Sequence, residues 1–215
     1  ELPAEPRRLA IGMAGRLAPA SWRDPDPGRT DFFDLKGVLE ALFQGLHLEA
    51  VGFEPTTHPT FVPGRTARVV IENHDLGILG EIHPDVGAAF DLPAGPVCLA
   101  ELDLEALLAR VPPSYRVAPV PRFPPALQDI AIVVDEDVLA AELGAVIRSA
   151  GGGLLAEARL FDVYRGQQLP PGKKSLAFSL VFQAMDRTLT DAEVEAEKGR
   201  IVEAAAQRLG ARLRV

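Results

Sequence analysis

The stretch that decides the fold runs from Phe161 to Phe182 and reads FDVYRGQQLPPGKKSLAFSLVF. Its second part alternates large apolar residues with smaller ones, which is the period of a strand with one buried face. The large residues are Leu176, Phe178, Leu180 and Phe182, and Ala177, Ser179 and Val181 stand between them. A loop containing Gly166 and Gly172 precedes this strand. The stretch therefore predicts two strands joined by a loop, with small side chains on the face opposite the core.

Around this stretch the apolar pattern predicts six elements in the order βαββαβ. They are strand 129–134, helix 139–150, strand 154–163, strand 175–182, helix 191–209 and strand 212–215. Residues 151–153 are all glycine and end the first helix, while Thr190 and Glu193 form a Thr-x-x-Glu capping box that begins the second. This order is that of the ferredoxin-like fold, in which both helices cover one sheet face and leave the other open.

The first half of the chain predicts a different, mixed α+β unit. Strands are expected at 9–14, 48–53, 68–71, 78–82 and 96–103, and short helices at 84–90 and 104–110. A longer helix follows Asp31, a suitable N-cap, and ends near Gly45. The residues from Asn73 to Gly77 have the composition of a hairpin loop, so the two strands beside them are expected to be antiparallel.

The chain is rich in proline where these two halves meet. The prolines are Pro112, Pro113, Pro119, Pro121, Pro124 and Pro125. Because proline favours an extended, semi-rigid backbone, this segment is expected to be a linker. The predicted organisation is an α+β domain at 1–111, a Pro-rich linker at 112–125 and a ferredoxin-like domain at 126–215.

Charge and composition restrict the classes of function. The chain has a formal net charge of −8, and residues 122–215 carry 12 Lys and Arg against 13 Asp and Glu, so the second half is the less acidic. A polyanion such as RNA would therefore be expected to meet the second half. No apolar run approaches the roughly 20 residues of a membrane-spanning helix. Cys98 is the single cysteine, is expected in a buried strand, and fits a reducing cytoplasm.

Motifs for catalysis and metal binding are not found. The four histidines are scattered and lack the spacing of zinc ligands, so no metal site is expected. Gly166 and the Gly172-Lys173-Lys174 run superficially resemble a phosphate-binding loop, but their spacing differs and a strand follows instead of a helix. The sequence therefore predicts a binding or scaffolding protein with no catalytic residues of its own.

Two kinds of binding domain share the predicted ferredoxin-like fold. A common RNA-recognition motif needs aromatic side chains on its open face, where this chain has small ones. An amino-acid-sensing domain needs a loop that accepts a ligand carboxylate, and here residues 135–137 are all acidic. The remaining candidates lie at the rim: Tyr164 could stack on a base, and Arg165, Lys173, Lys174 and Arg187 could reach phosphates.

Several segments resemble one known family. Residues 161–180, followed by Asp186-Arg-Thr-Leu-Thr-Asp-Ala-Glu-Val, closely resemble the C-terminal anticodon-binding domain of bacterial phenylalanyl-tRNA synthetase beta subunits. In the first half, Asp31-Phe-Phe-Asp-Leu-Lys-Gly, Pro63-Gly-Arg-Thr-Ala and Leu79-Gly-Glu-Ile-His-Pro are similar to the catalytic-like domain of the same subunits and occur in the same order. Together the resemblances span residues 30 to 215.

This resemblance implies a C-terminal fragment of a cytoplasmic, class II, heterotetrameric ligase of two alpha and two beta subunits. In such ligases the alpha subunit joins phenylalanine to tRNA with ATP and magnesium, and the catalytic-like domain of the beta subunit serves as a scaffold without active-site residues. The last domain contacts the tRNA anticodon. By position, Tyr164 is implied to stack on an anticodon base above Ser175 and Ala177, with Arg165, Lys173 and Lys174 as backbone contacts. The alternative is a protein-association module that packs on the alpha subunit and contributes little RNA contact.

Overall fold

The computed structural model describes residues 3, 5–115, 117 and 119–214. The chain divides into two compact units, Glu1–Val117 and Ala118–Val215. Each unit has its own cluster of buried apolar side chains. The division lies inside the Pro-rich segment that the sequence predicts to be a linker. No helix among the described residues is long and apolar enough to cross a membrane.

The first unit is built on a five-stranded antiparallel sheet. Its strands are β1 (Arg8–Ala14), β2 (Val51–Pro55), β3 (Phe61–Ile71), β4 (His74–Ile82) and β5 (Val97–Asp103), in the order β1-β5-β4-β3-β2. Three helices accompany them: α1 (Phe32–Gly45), α2 (Pro84–Ala89) and α3 (Leu104–Leu108). The mixed α+β class predicted for this half is confirmed.

Helix α1 shows how the sequence determines the core of the first unit. The Asp31 side chain accepts hydrogen bonds from the backbone N–H groups of Phe33 and Asp34, and so begins the helix as predicted. Its buried face consists of Leu35, Leu39 and Phe43, which belong to the same apolar cluster as strands β3, β4 and β5. Burying one such side chain contributes about 1.5–3 kcal/mol. The helix is therefore held mainly by its packing on the sheet.

The predicted position of the β3–β4 hairpin loop was wrong. The turn consists of Glu72 and Asn73, both with left-handed φ angles of 48° and 65°, as a tight two-residue hairpin requires. Asp75 and Gly77 lie within β4, at an irregularity of its pairing with β3. Gly77 has φ 149°, and a side chain there would collide with the backbone of β5. Glycine is therefore required at position 77 by the close approach of β5 and not by a turn.

The second unit has the predicted ferredoxin-like βαββαβ order. Its elements are β6 (Ala126–Asp135), α4 (Ala140–Gly151), β7 (Leu155–Tyr164), β8 (Lys173–Phe182), α5 (Asp191–Leu209) and β9 (Arg212–Leu213). The sheet is antiparallel with the order β7-β8-β6-β9. The last strand was predicted to reach Val215, which lies outside the described residues.

The two faces of this sheet differ as predicted. Alternate residues of β6 and β8 are buried with apolar residues of α4 and α5; those of β8 are Leu176, Phe178, Leu180 and Phe182. The side chains between them belong to the opposite face, which neither helix covers. The predicted capping box is also confirmed, since Thr190 accepts a hydrogen bond from the Glu193 N–H and the Glu193 carboxylate accepts one from the Thr190 N–H. The sheet thus keeps one open face of mainly small and polar side chains.

Candidate nucleic-acid interface

The open face of the second unit is arranged in rows that cross its strands. In one row, Tyr164 of β7 lies opposite Ser175 of β8, which lies opposite Val133 of β6 and then Arg212 of β9. In the next row, Asp162 lies opposite Ala177. Three residues that the sequence singled out are therefore neighbours: Tyr164, Ser175 and Ala177. Small side chains beneath one aromatic ring form a surface on which a flat ligand could lie.

The Tyr164 ring is held close to the loop that follows β7. A Cβ atom built on Gly166 would lie only 2.6 Å from Cζ of Tyr164, so the loop backbone passes directly over the end of the ring. Glycine is required here by close approach and not by an unusual φ angle. The ring itself is half-buried, and Ser175, beside it in the same row, is only 2% exposed. The surface is therefore already covered in part by the protein.

A residue that sequence reasoning missed, Arg214, contributes to this cover. Its Cζ lies 4.5 Å from the centre of the Tyr164 ring, within the range of a cation–π contact. Its Nη2 donates a hydrogen bond of 2.8 Å to Oε1 of Gln168 in the β7–β8 loop. The backbone N–H of Arg214 donates to the Ala131 oxygen, which holds this end of the chain against β6. No local sequence signal links Arg214 with Tyr164.

Two of the predicted basic contacts are paired with acidic side chains. Nε of Arg165 lies 2.7 Å from Oε1 of Glu136, and Nζ of Lys173 lies 2.6 Å from Oδ1 of Asp135. The acidic residues 135–137 argued against an amino-acid ligand, and two of them neutralise Arg165 and Lys173 at the rim of the candidate interface. Because both pairs are largely exposed to solvent, each stabilises the fold only slightly. A phosphate could take the place of either carboxylate at low cost.

The prediction that both lysines lie in the loop was wrong, because β8 begins at Lys173. Lys174 is only 7% exposed, and its Nζ donates a hydrogen bond of 2.7 Å to the Glu136 carbonyl oxygen. It lies opposite Val134, in the row that faces the helices. The alternation of β8 already contained this signal, since Lys174 is two residues before the core residue Leu176. Its amino group supports the β6–α4 loop and is not presented on the open face.

Arg187, the last predicted phosphate contact, lies in the loop just before α5. It pairs with Asp186 and Glu193. The pKa of Glu193 is lowered to about 2, chiefly because its carboxylate accepts a hydrogen bond from the Thr190 backbone, with Arg187 and the Thr190 hydroxyl adding to the effect. This cluster secures the helix N-terminus. Arg187 thus has a structural role that needs no ligand.

The first unit offers a cleft in place of a flat surface. One cleft has a volume of about 790 Å³, and the His47 and Tyr115 rings, stacked at 3.8 Å, form part of its lining. Among the described residues, no cluster of three or more His, Cys, Asp or Glu side chains could hold a metal ion. None of the residues predicted to bind a ligand lies in this unit.

Two protein families match consecutive parts of the chain. Residues 1–104 match the family described as "Phenylalanyl tRNA synthetase beta chain CLM domain". Residues 121–214 match the "Ferredoxin-fold anticodon binding domain". The second match contains the whole open face described above, including Tyr164 and Arg214. The boundary between the two matches falls in the Pro-rich segment.

Similar proteins from several bacteria match along the whole chain. The phenylalanine–tRNA ligase beta subunit of Symbiobacterium thermophilum is 46% identical over 214 residues, that of Moorella thermoacetica 49% over 216, and that of Geobacillus kaustophilus 41% over 213. These alignments cover 99–100% of this chain but 24–26% of the relatives. The chain thus spans about a quarter of the length of the curated relatives that it matches.

Proposed function

This chain belongs to the phenylalanyl-tRNA synthetase beta-subunit family, and from that premise we propose that it is a non-catalytic, tRNA-binding and scaffolding part of a phenylalanine–tRNA ligase. The second unit binds the anticodon region of the tRNA on its open sheet face. The first unit is the scaffold. In the assembled enzyme, two alpha and two beta subunits act together in the cytoplasm, and the alpha subunit carries out aminoacylation with ATP and magnesium.

The observation that carries the proposal is the position of Tyr164 beside the small residues Ser175 and Ala177, on a sheet face that neither helix covers. Single-stranded nucleotides bind to such surfaces by stacking, which contributes about 1–3 kcal/mol per base. Anticodon bases are unpaired before they meet messenger RNA, so their faces are free to stack. A flat platform with a basic rim therefore suits this ligand better than an enclosed pocket would.

The rim provides the second part of the binding mechanism. Arg165 and Lys173 are held by carboxylates in the free protein, and an approaching phosphate can replace these partners. This exchange gives little net affinity for arbitrary RNA, because each new ion pair is gained at the loss of another. Selectivity then depends on stacking at Tyr164, while Lys174 supports the loop that carries Glu136.

The experiment is Tyr164→Ala in the complete ligase, with the KM for tRNA and the rate of phenylalanine-dependent pyrophosphate exchange measured in parallel. We expect the KM for tRNA to rise about tenfold, since one stacked base contributes about 1–3 kcal/mol. The exchange rate should not change, because it does not require the anticodon. Tyr115→Ala is the matched control, since the only other tyrosine lies in the first unit. An unchanged KM in Tyr164→Ala contradicts the proposal.

A second candidate function is association with the alpha subunit, and the first unit has a feature that favours it. Three aromatic side chains there are largely exposed: Trp22 at 94%, Phe33 at 73% and Phe90 at 74%. Aromatic residues are enriched at protein interfaces, where they contribute much of the binding free energy. This role is compatible with anticodon binding by the second unit, and both belong to a scaffold subunit.

A further inference from the structure

We propose that Arg214 is a direct ligand contact of the RNA site, acting with Tyr164 as one composite surface. The inference rests on the proposed function and extends it. The ligand is an unpaired nucleotide of RNA that stacks against this pair and offers hydrogen-bond acceptors to the free edge of the guanidinium. Guanine O6 and N7, or a pair of phosphate oxygens, have the required chemistry.

The first argument is geometric. A guanidinium is planar and stacks on aromatic rings, and that of Arg214 lies 4.5 Å from the centre of the Tyr164 ring. Arg214 directly follows β9 and Tyr164 ends β7, and these are the two outer strands of the sheet. The two side chains therefore extend towards each other over the small residues of the central strands. A base that approaches Tyr164 must also meet Arg214.

The second argument concerns charge. Arg165, Lys173 and Arg187 each have a carboxylate partner, and Lys174 is buried. Arg214 forms no ion pair within the part of the second unit that the structure describes, and its one side-chain acceptor is the neutral amide of Gln168. Among the described residues, no carboxylate neutralises its positive charge, and its side-chain contacts are the Tyr164 ring and the Gln168 amide. A guanidinium has five N–H donors, so several remain for a ligand.

The third argument is preorganisation. The ring of Tyr164 and the oxygen of Gln168 fix the guanidinium from two directions, and the loop backbone at Gly166 confines the ring. A long side chain held in this way loses less conformational entropy when it binds a ligand. By contrast, Arg159 and Arg212 are exposed and form no ion pair within the described residues. They carry charge on the same face without an orienting contact.

The test compares three variants in the complete ligase. Arg214→Lys retains the charge but loses the planar fork, and Gln168→Ala retains Arg214 but removes its orienting acceptor. Arg212→Lys is the matched control, because Arg212 lies only two residues before Arg214 and forms no ion pair within the described residues. We expect the Kd for cognate tRNA to rise about tenfold in Arg214→Lys, since a good bidentate contact is worth about 1–3 kcal/mol. A two- to fivefold rise is expected in Gln168→Ala, and less than a twofold change in Arg212→Lys. Melting temperatures of the variants provide the check on folding.

The two sources of acceptors are separated by repeating the measurement with tRNAs that carry substituted anticodon bases and at several salt concentrations. If Arg214 contacts a base edge, Arg214→Lys will reduce the discrimination between cognate and substituted tRNAs. If it contacts a phosphate, discrimination will remain, and the Kd will rise alike for all tRNAs. Either outcome supports the proposal.

The inference is overturned if Arg214→Lys binds every tRNA like the wild type while Tyr164→Ala weakens binding, because the site then exists without Arg214. If Tyr164→Ala also has no effect, the proposed RNA site itself is wrong. A double variant adds a test of the pairing. Coupled residues predict that Tyr164→Ala and Arg214→Lys together raise Kd by less than the product of their separate effects. A full product contradicts a composite surface.

Discussion

The position of one side chain, Tyr164, depends on the lack of a side chain two residues later. A methyl group on Gly166 would overlap Cζ of Tyr164, so the ring and the loop can occupy their positions only with glycine at 166. Close packing of this kind cannot adjust to even one extra carbon without moving a neighbour. Residue 166 therefore acts on the binding surface through residue 164.

We predict that Gly166→Ala will weaken tRNA binding several-fold while leaving stability almost unchanged. The added methyl group displaces the Tyr164 ring and its contact with Arg214, whereas the exposed loop contributes little to the core. Binding curves and thermal unfolding would be measured together. Gly153→Ala is the control, because no atom lies within 4 Å of its Cβ position. Equal loss of affinity in both variants would contradict the explanation.

In the first unit, the ionisation of Cys98 is likewise determined by packing, because its side chain is buried. The side chain is 0% exposed in β5, as the sequence predicted. Burial, with the nearby carboxylates of Glu81, Asp31 and Asp34 adding to the effect, raises the pKa of the thiol from 9.0 to about 11. The thiol is therefore protonated and inaccessible in the folded protein.

The raised thiol pKa gives a pH-dependent stability with a definite sign. The unfolded chain loses the thiol proton near pH 9, and the folded chain does so only near pH 11, so the contribution is complete below pH 9 and is lost as the pH rises towards 11. We expect the stability difference between wild type and Cys98→Ala to shrink across this range. Urea unfolding at pH 8, 9, 10 and 11 would measure it. A constant difference would contradict the assignment.

At the scale of the element, helix α5 begins at a cluster of polar groups that is specified locally. Thr190, Glu193 and Arg187 satisfy the first turn of the helix, and three of these contacts hold the Glu193 carboxylate in its charged form. The sequence signal, Thr-x-x-Glu, is sufficient to predict the start because every group involved lies within six residues along the chain.

This cluster predicts acid sensitivity of the second unit. The pKa of Glu193 falls from 4.5 to about 2 on folding, so its contribution is present above pH 4.5 and is lost as the pH falls towards 2. Thr190→Val should weaken the acid dependence of unfolding in this window, whereas Thr190→Ser keeps the hydroxyl oxygen and should preserve it. Far-ultraviolet circular dichroism from pH 6 to 2 would follow the transition. Identical acid curves for both variants would be inconsistent with the cap.

At the scale of the whole molecule, the two units present opposite kinds of surface. The second unit has a sheet face of mainly small and polar side chains that carries Tyr164, and the first has the most exposed aromatic side chains, among them the single tryptophan, Trp22. Fully burying an aromatic side chain contributes several kcal/mol, which is enough to stabilise an interface. This difference is the reason for proposing RNA binding and subunit association for separate parts of the chain.

We predict that Trp22→Asp weakens assembly with the alpha subunit by at least tenfold and leaves tRNA stacking unchanged. Burying a charged group in an apolar interface is unfavourable, and the area of the indole is lost as well. Sedimentation velocity over a range of concentrations would measure the assembly. Val120→Asp is the control, because this equally exposed apolar residue lies in the Pro-rich segment. If Trp22→Asp, Phe33→Asp and Phe90→Asp all assemble normally, the association role is wrong.

The sequence by itself determined what depends on neighbours along the chain. Alternation in β8, the glycines after α4, and the caps at Asp31 and Thr190 predicted the elements, their order and the ferredoxin-like class. The alternation in β8 also indicated that Lys174 lies on the buried face of the sheet. The β3–β4 turn was predicted at the wrong residues, because glycine at position 77 is required by the close approach of β5 and not by a loop.

Only the tertiary structure decided the composition of the candidate site. The sheet order brings Arg214 to the Tyr164 ring and to Gln168, 46 residues away in the sequence, and the end of β6 and the loop after it supply the carboxylates that neutralise Arg165 and Lys173. No periodicity encodes these contacts, because they depend on which strands are neighbours and on how far long side chains reach across them. Local pattern therefore determined the open face, and long-range packing determined which of its cations are paired with carboxylates and which one is held beside Tyr164.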